Sequence, residues 1–365
     1  MKTVGDRLLG LDVLRGFAAL AVMLHHHGGY YDWLYPGRAS LPVDFFPGHF
    51  GVELFFIISG FVVLMTTERS KGVQAFVLAR ATRLLPAYLA ALLLATIIVI
   101  AAPMPPLDPP TLRRFLANLT MAPLLFDERV IDLPYWTLNY EVVFYLFMAL
   151  VLWSRRLRSL EWIALAWMAL GALYLLLVDP LPHHRTTIVA MPYYSNFFTI
   201  GMCLYLLHAG RGRWITWVTL AMAIAISARG GGPQAFEVSG PLYFTLTVAL
   251  TALVWGAAMP LGQRLAARPL AFLGRISYPL YLVHVVIGFE IIRIGVERGW
   301  STWTGVVIAG AASLLAATLL HVLIEVPGQR LSRAALTRWT SAGPAPVERP
   351  VMTAGTDTAA ASDPS

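Results

Sequence analysis

Apolar runs long enough to cross a bilayer, about 20 residues each, recur along this 365-residue chain with polar or Pro/Gly-rich breaks between them. Inside hydrocarbon each backbone N–H and C=O must find its partner within the protein, so runs of this kind become helices. The expected fold is all-α, a polytopic membrane protein of about ten transmembrane helices. Their spans are 9–28, 49–66, 84–102, 135–153, 160–178, 192–208, 214–228, 241–259, 270–292 and 302–324. A water-soluble fold is excluded by composition: 58% of residues are hydrophobic and only 13% charged, against about 25% charged in soluble domains.

Orientation follows from Lys and Arg, which stay on the cytoplasmic side during insertion. Placing the N-terminus inside gathers Lys2, Arg7, Arg69, Lys71, Arg80, Arg83, Arg155, Arg156, Arg158, Arg211, Arg213, Arg264, Arg268, Arg330, Arg333 and Arg338 on one side. A multi-pass protein of a bacterial inner (cytoplasmic) membrane is expected, with both termini cytoplasmic. The transmembrane domain covers 1–335 and a disordered cytoplasmic tail 336–365, rich in Ala, Thr, Pro, Ser and Gly. The net charge of +7 is spread over membrane connections and not clustered with exposed aromatics, so nucleic acid is not an expected partner. The lone cysteine, Cys203, excludes an intramolecular disulfide and a cysteine-based metal cluster.

Ionisable residues inside such spans cost several kcal/mol on insertion scales and are functional candidates. The first span carries Arg15 near its inner end and His25, His26 and His27 near its outer end. At about 100° and 1.5 Å per residue, His26 returns to within about 20° of the Arg15 face, roughly 16 Å along the axis, while His25 and His27 point elsewhere. An extended pantetheine arm has comparable length, so Arg15 is placed to hold a CoA phosphate while His26 meets the thioester. The competing reading has Arg15 snorkelling to the interface and the histidines among outer headgroups. Three adjacent histidines fall on different sides of one helix and suit joint ligation poorly, so no metal is expected.

A histidine suits acyl transfer because its ordinary pKa near 6.5 lets it take a hydroxyl proton and return it to a leaving group. Glu53 and Glu141 are the buried carboxylates available to fix its tautomer, or else to pair structurally with an arginine. Arg80 and Arg83 precede Leu84-Leu85-Pro86 and sit together on an expected helix start, where phosphate binding and ordinary topogenic charge both fit. His284 lies among apolar residues, which suits a helix-packing hydrogen bond as well as chemistry. Tyr30, Tyr31, Trp33 and Tyr35 crowd an outer connection at 29–48, able to grip a sugar or to form an interfacial belt.

Five segments in order resemble the bacterial integral-membrane acyltransferase family three, over about residues 8–330. They are Arg15 through His26; Gly51-Val52-Glu53-Leu54-Phe55-Phe56 with Ser59-Gly60-Phe61; Arg80, Arg83, Pro86 and Tyr88; Trp136, Leu138, Glu141, Phe144 and Tyr145; and Ser277, Tyr278, Tyr281, Leu282 and His284. Thr137 stands where the family usually has Ser, Val326 interrupts a late Ile-Glu-Arg-Pro pattern, and Val286 replaces a frequent proline. The resemblance implies that His26 is catalytic, with Glu141 and Glu53 assisting. It implies that Arg15, Arg80 and Arg83 serve acyl-CoA, in the first place acetyl-CoA, and that Trp136, Tyr278 and His284 contact substrate. The implied acceptor is a sugar hydroxyl of an exopolysaccharide, lipopolysaccharide or lipid-linked precursor of the cell envelope. Rival readings are a lipid or small-metabolite acceptor, a transporter or flippase, and a sensor or scaffold.

Overall fold

The computed structural model describes residues 8–36, 45–177, 185–229, 238–266 and 268–341. Helices occupy each of the ten expected spans. They are α1 (Leu9–His25), α2 (Gly51–Glu68), α3 (Val73–Ala101), α4 (Trp136–Trp153), α5 (Leu160–Leu177), α6 (Ser195–His208), α7 (Trp214–Ile226), α8 (Gly240–Ala258), α9 (Arg268–Glu297) and α10 (Thr302–Leu320). A last helix, α11 (Val326–Ser341), follows. It makes the start of the expected tail at 336–365 helical, and the remainder of that tail lies outside the described residues. Among the described residues seven helical stretches are long and apolar enough to span a membrane. The helices at three other expected spans are shorter or equal to the minimum: α5 has 18 residues, α6 14 and α7 13.

The bundle has two apolar cores. One joins α2, α4, α6 and α8 and is centred on an aromatic stack, with Phe198 4.2 Å from Phe144 and 4.7 Å from Phe56 between ring centroids. The other joins α1, α3, α9 and α10. The outward faces remain apolar, as on α3, where Leu93, Ile97 and Ile100 are each more than half exposed. In water such faces have no partner, whereas in hydrocarbon they need none.

α1 runs along α9, and the two backbones nearly touch near Arg15. A Cβ on Gly274 would lie 2.1 Å from the Asp12 carbonyl oxygen, so only glycine lets α9 approach. That contact brings Ser277 and Tyr278 beside Arg15. The long connection before α4 is pinned by buried Arg114, which donates to the Val130 carbonyl at 2.5 Å and to Asp108 at 3.1 Å. Asn118 ties the same strand of chain by donating to the Arg129 carbonyl and accepting from the Ile131 N–H. Anchored in this way, the connection delivers Val130, Leu133 and Trp136 to the end of the bundle where the histidines lie.

The aromatic connection after α1 divides its roles. Tyr31 and Tyr35 are buried against Phe289, and the Tyr35 hydroxyl donates to the Met104 carbonyl at 3.1 Å. Trp33 is 63% exposed, as a belt residue would be, while Tyr30 faces a cavity described below. Residues 37–44 of that expected connection lie outside the described residues.

Candidate active site

α1 ends at His25 and continues into a π-helical turn, His26–Tyr30, which is kinked at Gly28 by its non-helical φ of −106° and ψ of −123°. His26 Nδ1 lies 2.9 Å from the Val22 carbonyl oxygen and 3.2 Å from His284 Nε2. A carbonyl only accepts, so Nδ1 of His26 carries the hydrogen. The same reasoning fixes His284: its Nδ1 faces the Leu280 and Tyr281 carbonyls at 3.1 and 3.0 Å, so Nδ1–H donates there and Nε2 holds a lone pair. His284 Nε2 therefore accepts from His26, and Nε2 of His26 is left as the basic nitrogen. His27 completes the arrangement by donating from Nε2 to the His284 backbone carbonyl at 2.8 Å. His284 is thus held through its ring by His26 and through its backbone by His27.

Three cavities lie in series from this point towards the arginine-rich end. The histidine chamber, about 110 Å³, has His26, His25, His49, Tyr30 and Trp136 in its walls. A middle chamber of about 60 Å³ is lined by Arg15, Arg80, Arg83, Glu141, Tyr145 and Tyr278. It adjoins a vestibule of about 460 Å³ through shared walls at Arg15, Arg83 and Tyr278, and the vestibule adds Arg275 and Arg333. A second π-helical turn, His321–Glu325, borders the vestibule, with His321 Nδ1 2.6 Å from Glu325. Gln329 donates to Glu325 at 3.2 Å and to the Arg83 carbonyl at 3.3 Å, tying α11 to α3 at this mouth.

The cationic walls are incompletely satisfied. Arg80 is 8% exposed, donates from Nη2 to Thr66 at 2.5 Å, and packs over the rings of Phe76 and Tyr145. Its Nε and Nη1, and Nε of Arg15, are buried without a hydrogen-bond partner. Buried donors of this kind are costly unless an acceptor arrives, so the middle chamber suits a ligand with anionic or carbonyl oxygens. Glu141 faces the same arginines and accepts from Tyr145, with Ser59 at 3.5 Å.

The structure gathers most of the expected residues and corrects the placement of several. Arg15, Arg80, Arg83, Glu141 and Tyr278 share the middle chamber, and His26 and Trp136 share the histidine chamber, with His284 directly behind His26. Arg80 and Arg83 do not precede a helix start, because α3 begins at Val73 and carries Pro86 inside it. Both arginines therefore project from within the bundle, and Arg80 is a buried cation. His25 does not point away from the chamber as the helical face argument requires: the chain returning at Phe46–Phe50 sets His49 against it, and the rings of His25 and His26, 5.5 Å apart, both border one chamber. Neither carboxylate is hydrogen-bonded to His26; the expected tautomer-fixing role falls to the Val22 carbonyl and His284.

Glu53 borders none of the three cavities. It is 2% exposed and accepts from Tyr243 at 2.6 Å, while its other oxygen, Oε2, is buried without a partner. A structural role predicts that Tyr243→Phe destabilises the protein by about 1–3 kcal/mol, the penalty for leaving a buried acceptor unmet. The thermal midpoint in detergent should fall while turnover per folded molecule stays unchanged; a loss of turnover at intact stability would return Glu53 to the chemistry.

Tyr281 was named from sequence only within a family-like segment, without a role, and His49 was not singled out. Tyr281 lies three residues before His284, a spacing that puts both on one helical face, and this was the available signal. His49 had none, because its place beside His25, 5.6 Å between rings, depends on how the chain returns after α1.

With this geometry in hand, the comparisons with known proteins define the class. A membrane bundle with a basic vestibule leading to a histidine pair is matched over residues 8–322 by the family described as "Acyltransferase domain", and the chain belongs to that family. Among curated proteins it is similar to "Acyltransferase MdmB" of Streptomyces mycarofaciens, 27% identical over 95% of this chain and 98% of that protein. It is also similar to "Nodulation protein 10" of Rhizobium leguminosarum bv. viciae, 25% identical over 90% of this chain and 95% of that protein. No solved structure matches it. The chain is a membrane acyltransferase, which removes the transporter and sensor readings.

Proposed function

We propose that this acyltransferase moves an acetyl or similarly short acyl group from cytoplasmic acyl-CoA to a sugar hydroxyl of an envelope glycan or its lipid-linked precursor. The observation that carries the reading is the series of three cavities, arginine-walled at one end and closed by His26 at the other. The Lys/Arg distribution supports a vestibule that opens to the cytoplasmic side. Arg15, Arg83, Arg275 and Arg333 are there for phosphates, which arginine holds with paired N–H donors, and the unmet donors of Arg80 and Arg15 suit the amide and thioester oxygens of a pantetheine arm. Trp136 and Tyr30 offer aromatic faces to a sugar ring in the histidine chamber.

His26 Nε2 acts as general base. It takes the acceptor hydroxyl proton as that oxygen bonds to the thioester carbonyl carbon; the C–S bond then breaks, and the proton passes from Nε2 to the departing sulfur, giving ester and free CoA thiol. While Nε2 holds the proton, the Nδ1–H keeps its two acceptors, Val22 O and His284 Nε2, so the imidazolium is stabilised without any group moving. Glu141 offsets part of the arginine charge and fixes Tyr145.

The reading is tested in the producing bacterium by deleting the gene and measuring O-acyl groups on envelope glycans by NMR. Acylation should vanish on deletion, return with the wild-type protein, and fail to return with His26→Ala at matched membrane levels. Unchanged glycan acylation after deletion would overturn the acceptor assignment and direct attention to lipids and small metabolites.

A further inference from the structure

The hydrogen bond from His26 Nδ1–H to His284 Nε2 is 3.2 Å long, at the upper limit for an N–H donor. A slide of α9 along α1 by a few tenths of an ångström, well under the rise of one residue, would break it. α9 is not stiff enough by itself to prevent this, because Pro279 stands inside it shortly before His284 and removes a rung of the helical ladder. Its outer half has to be held by neighbours. Tyr135 donates from its hydroxyl to the Leu282 carbonyl at 3.1 Å, Tyr281 from its own hydroxyl to the Pro134 carbonyl at 3.1 Å, and His27 from Nε2 to the His284 carbonyl at 2.8 Å. The His27 tether is the shortest of these and is made to the residue whose ring meets His26.

His27 is seated over a gap in α9. A Cβ on Gly288 would lie 1.9 Å from its Nε2 and 2.6 Å from its Cε1, so the ring occupies the space that a side chain would fill. Gly288 is one helical turn beyond His284, so its N–H takes one lone pair of the His284 carbonyl and His27 takes the other. The His27 ring is fully buried, and its Nδ1 has no hydrogen-bond partner among the described residues. A phenyl ring would fill the same gap without that unmet nitrogen, which is costly when buried. Packing alone therefore does not account for an imidazole here, whereas the Nε2–H does.

We propose that His27 is a positioning residue for the transfer step: seated on Gly288, it fixes the height of His284 against His26 and so keeps the hydrogen bond that orients the base. The inference rests on the general-base reading of His26 and adds the residue that holds the second imidazole in place. His27 acts through His284 and is not itself a wall of the histidine chamber. Loss of its Nε2–H should lower kcat by no more than His284→Ala does, up to about tenfold, with the KM for acetyl-CoA unchanged.

Membrane vesicles of the producing bacterium carrying each variant are supplied with radiolabelled acetyl-CoA, and kcat is normalised to folded protein. His27→Gln and His27→Met are close in size, but only glutamine keeps an N–H donor at the end of the side chain. Glutamine should hold kcat within about twofold of wild type, and methionine should lower it by about three- to tenfold; a packing role would move both alike. The decisive arm is the cycle with His284→Ala. In that background His27→Met should cost nothing further, because the ring it positions is gone. Equal losses in the two backgrounds overturn the proposal, as does a folded His27→Met or His284→Ala protein with wild-type kcat. Should His27→Met not fold, the wild type decides by NMR of isotope-labelled histidine in bilayers: His27 must carry its proton on Nε2, hydrogen-bonded to the His284 carbonyl, and a proton on Nδ1 overturns the proposal. If His26→Ala keeps wild-type turnover, the general-base reading falls instead, a result distinct from all of these.

Discussion

Replacing His26 with alanine is expected to lower kcat for acyl transfer by about 10²–10⁴, the usual contribution of a positioned general base, while the KM for acyl-CoA changes little. The split follows from the geometry. His26 belongs to the histidine chamber, whereas the arginines proposed to hold CoA belong to the middle chamber and vestibule. His284→Ala removes one of the two acceptors of the His26 Nδ1–H and leaves the Val22 carbonyl as the other. Its expected loss is up to about tenfold, the worth of one hydrogen bond at about 1 kcal/mol. Steady-state kinetics on protein in detergent or vesicles, normalised to folded protein, separate these outcomes. A His284→Ala loss equal to that of His26→Ala would mean that His284 touches the reacting atoms itself.

The second large effect concerns folding. Gly201→Ala is expected to destabilise the protein by about 3 kcal/mol or more, at the upper end of overpacking penalties. A Cβ at Gly201 would sit 1.9 Å from the Ile57 carbonyl oxygen and 2.7 Å from the Phe61 N, and a Cβ at the facing Gly60 would sit 2.1 Å from the Phe198 carbonyl oxygen. Both clashes are with backbone, so no rotamer change relieves them and α2 and α6 must separate. Membrane helices use small residues in this way, because close backbone approach replaces the hydrophobic drive that is missing in lipid. Gly256→Ala on α8 is the internal control: nothing lies within 4 Å of its added Cβ, and the change should be neutral or stabilise by up to about 1 kcal/mol through helix propensity. Thermal midpoints in detergent measure both. Equal midpoints for the two variants would show that α2 and α6 have slack that the structure does not display.

The sequence revealed what depends on local pattern. Each span announced itself by hydrophobicity, and the spacing of Arg15 and His26 foretold a helix connecting a cationic mouth to an imidazole. It failed where the partner lies far along the chain. Nothing near Glu53 points to Tyr243, 190 residues away, or near His26 to His284, 258 residues away. Pro86 reads as a helix start because proline is favoured at the first helical position, yet α3 passes through it, which is why Arg80 looked superficial in sequence and is buried in the bundle. The return of the chain at Phe46–Phe50 is equally invisible to a rule of 3.6 residues per turn, and it is what sets His49 against His25 at the chamber wall.

That the cavities are three separate chambers and not one open bore has a consequence for the cell as a whole. An enzyme whose substrates arrive from opposite faces of a membrane risks becoming a leak. A wide, wet passage lined with arginine and histidine would let ions and protons run down their gradients between turnovers. Here, among the described residues, the middle and histidine chambers share only Val52 and Tyr281, an aliphatic side chain and an aromatic ring whose hydroxyl lies 2.8 Å from that of Thr137, so the lining turns apolar where the two chambers adjoin. Hydrophobic constrictions hold back ions by dewetting, which is the property that abundance in an energised membrane requires.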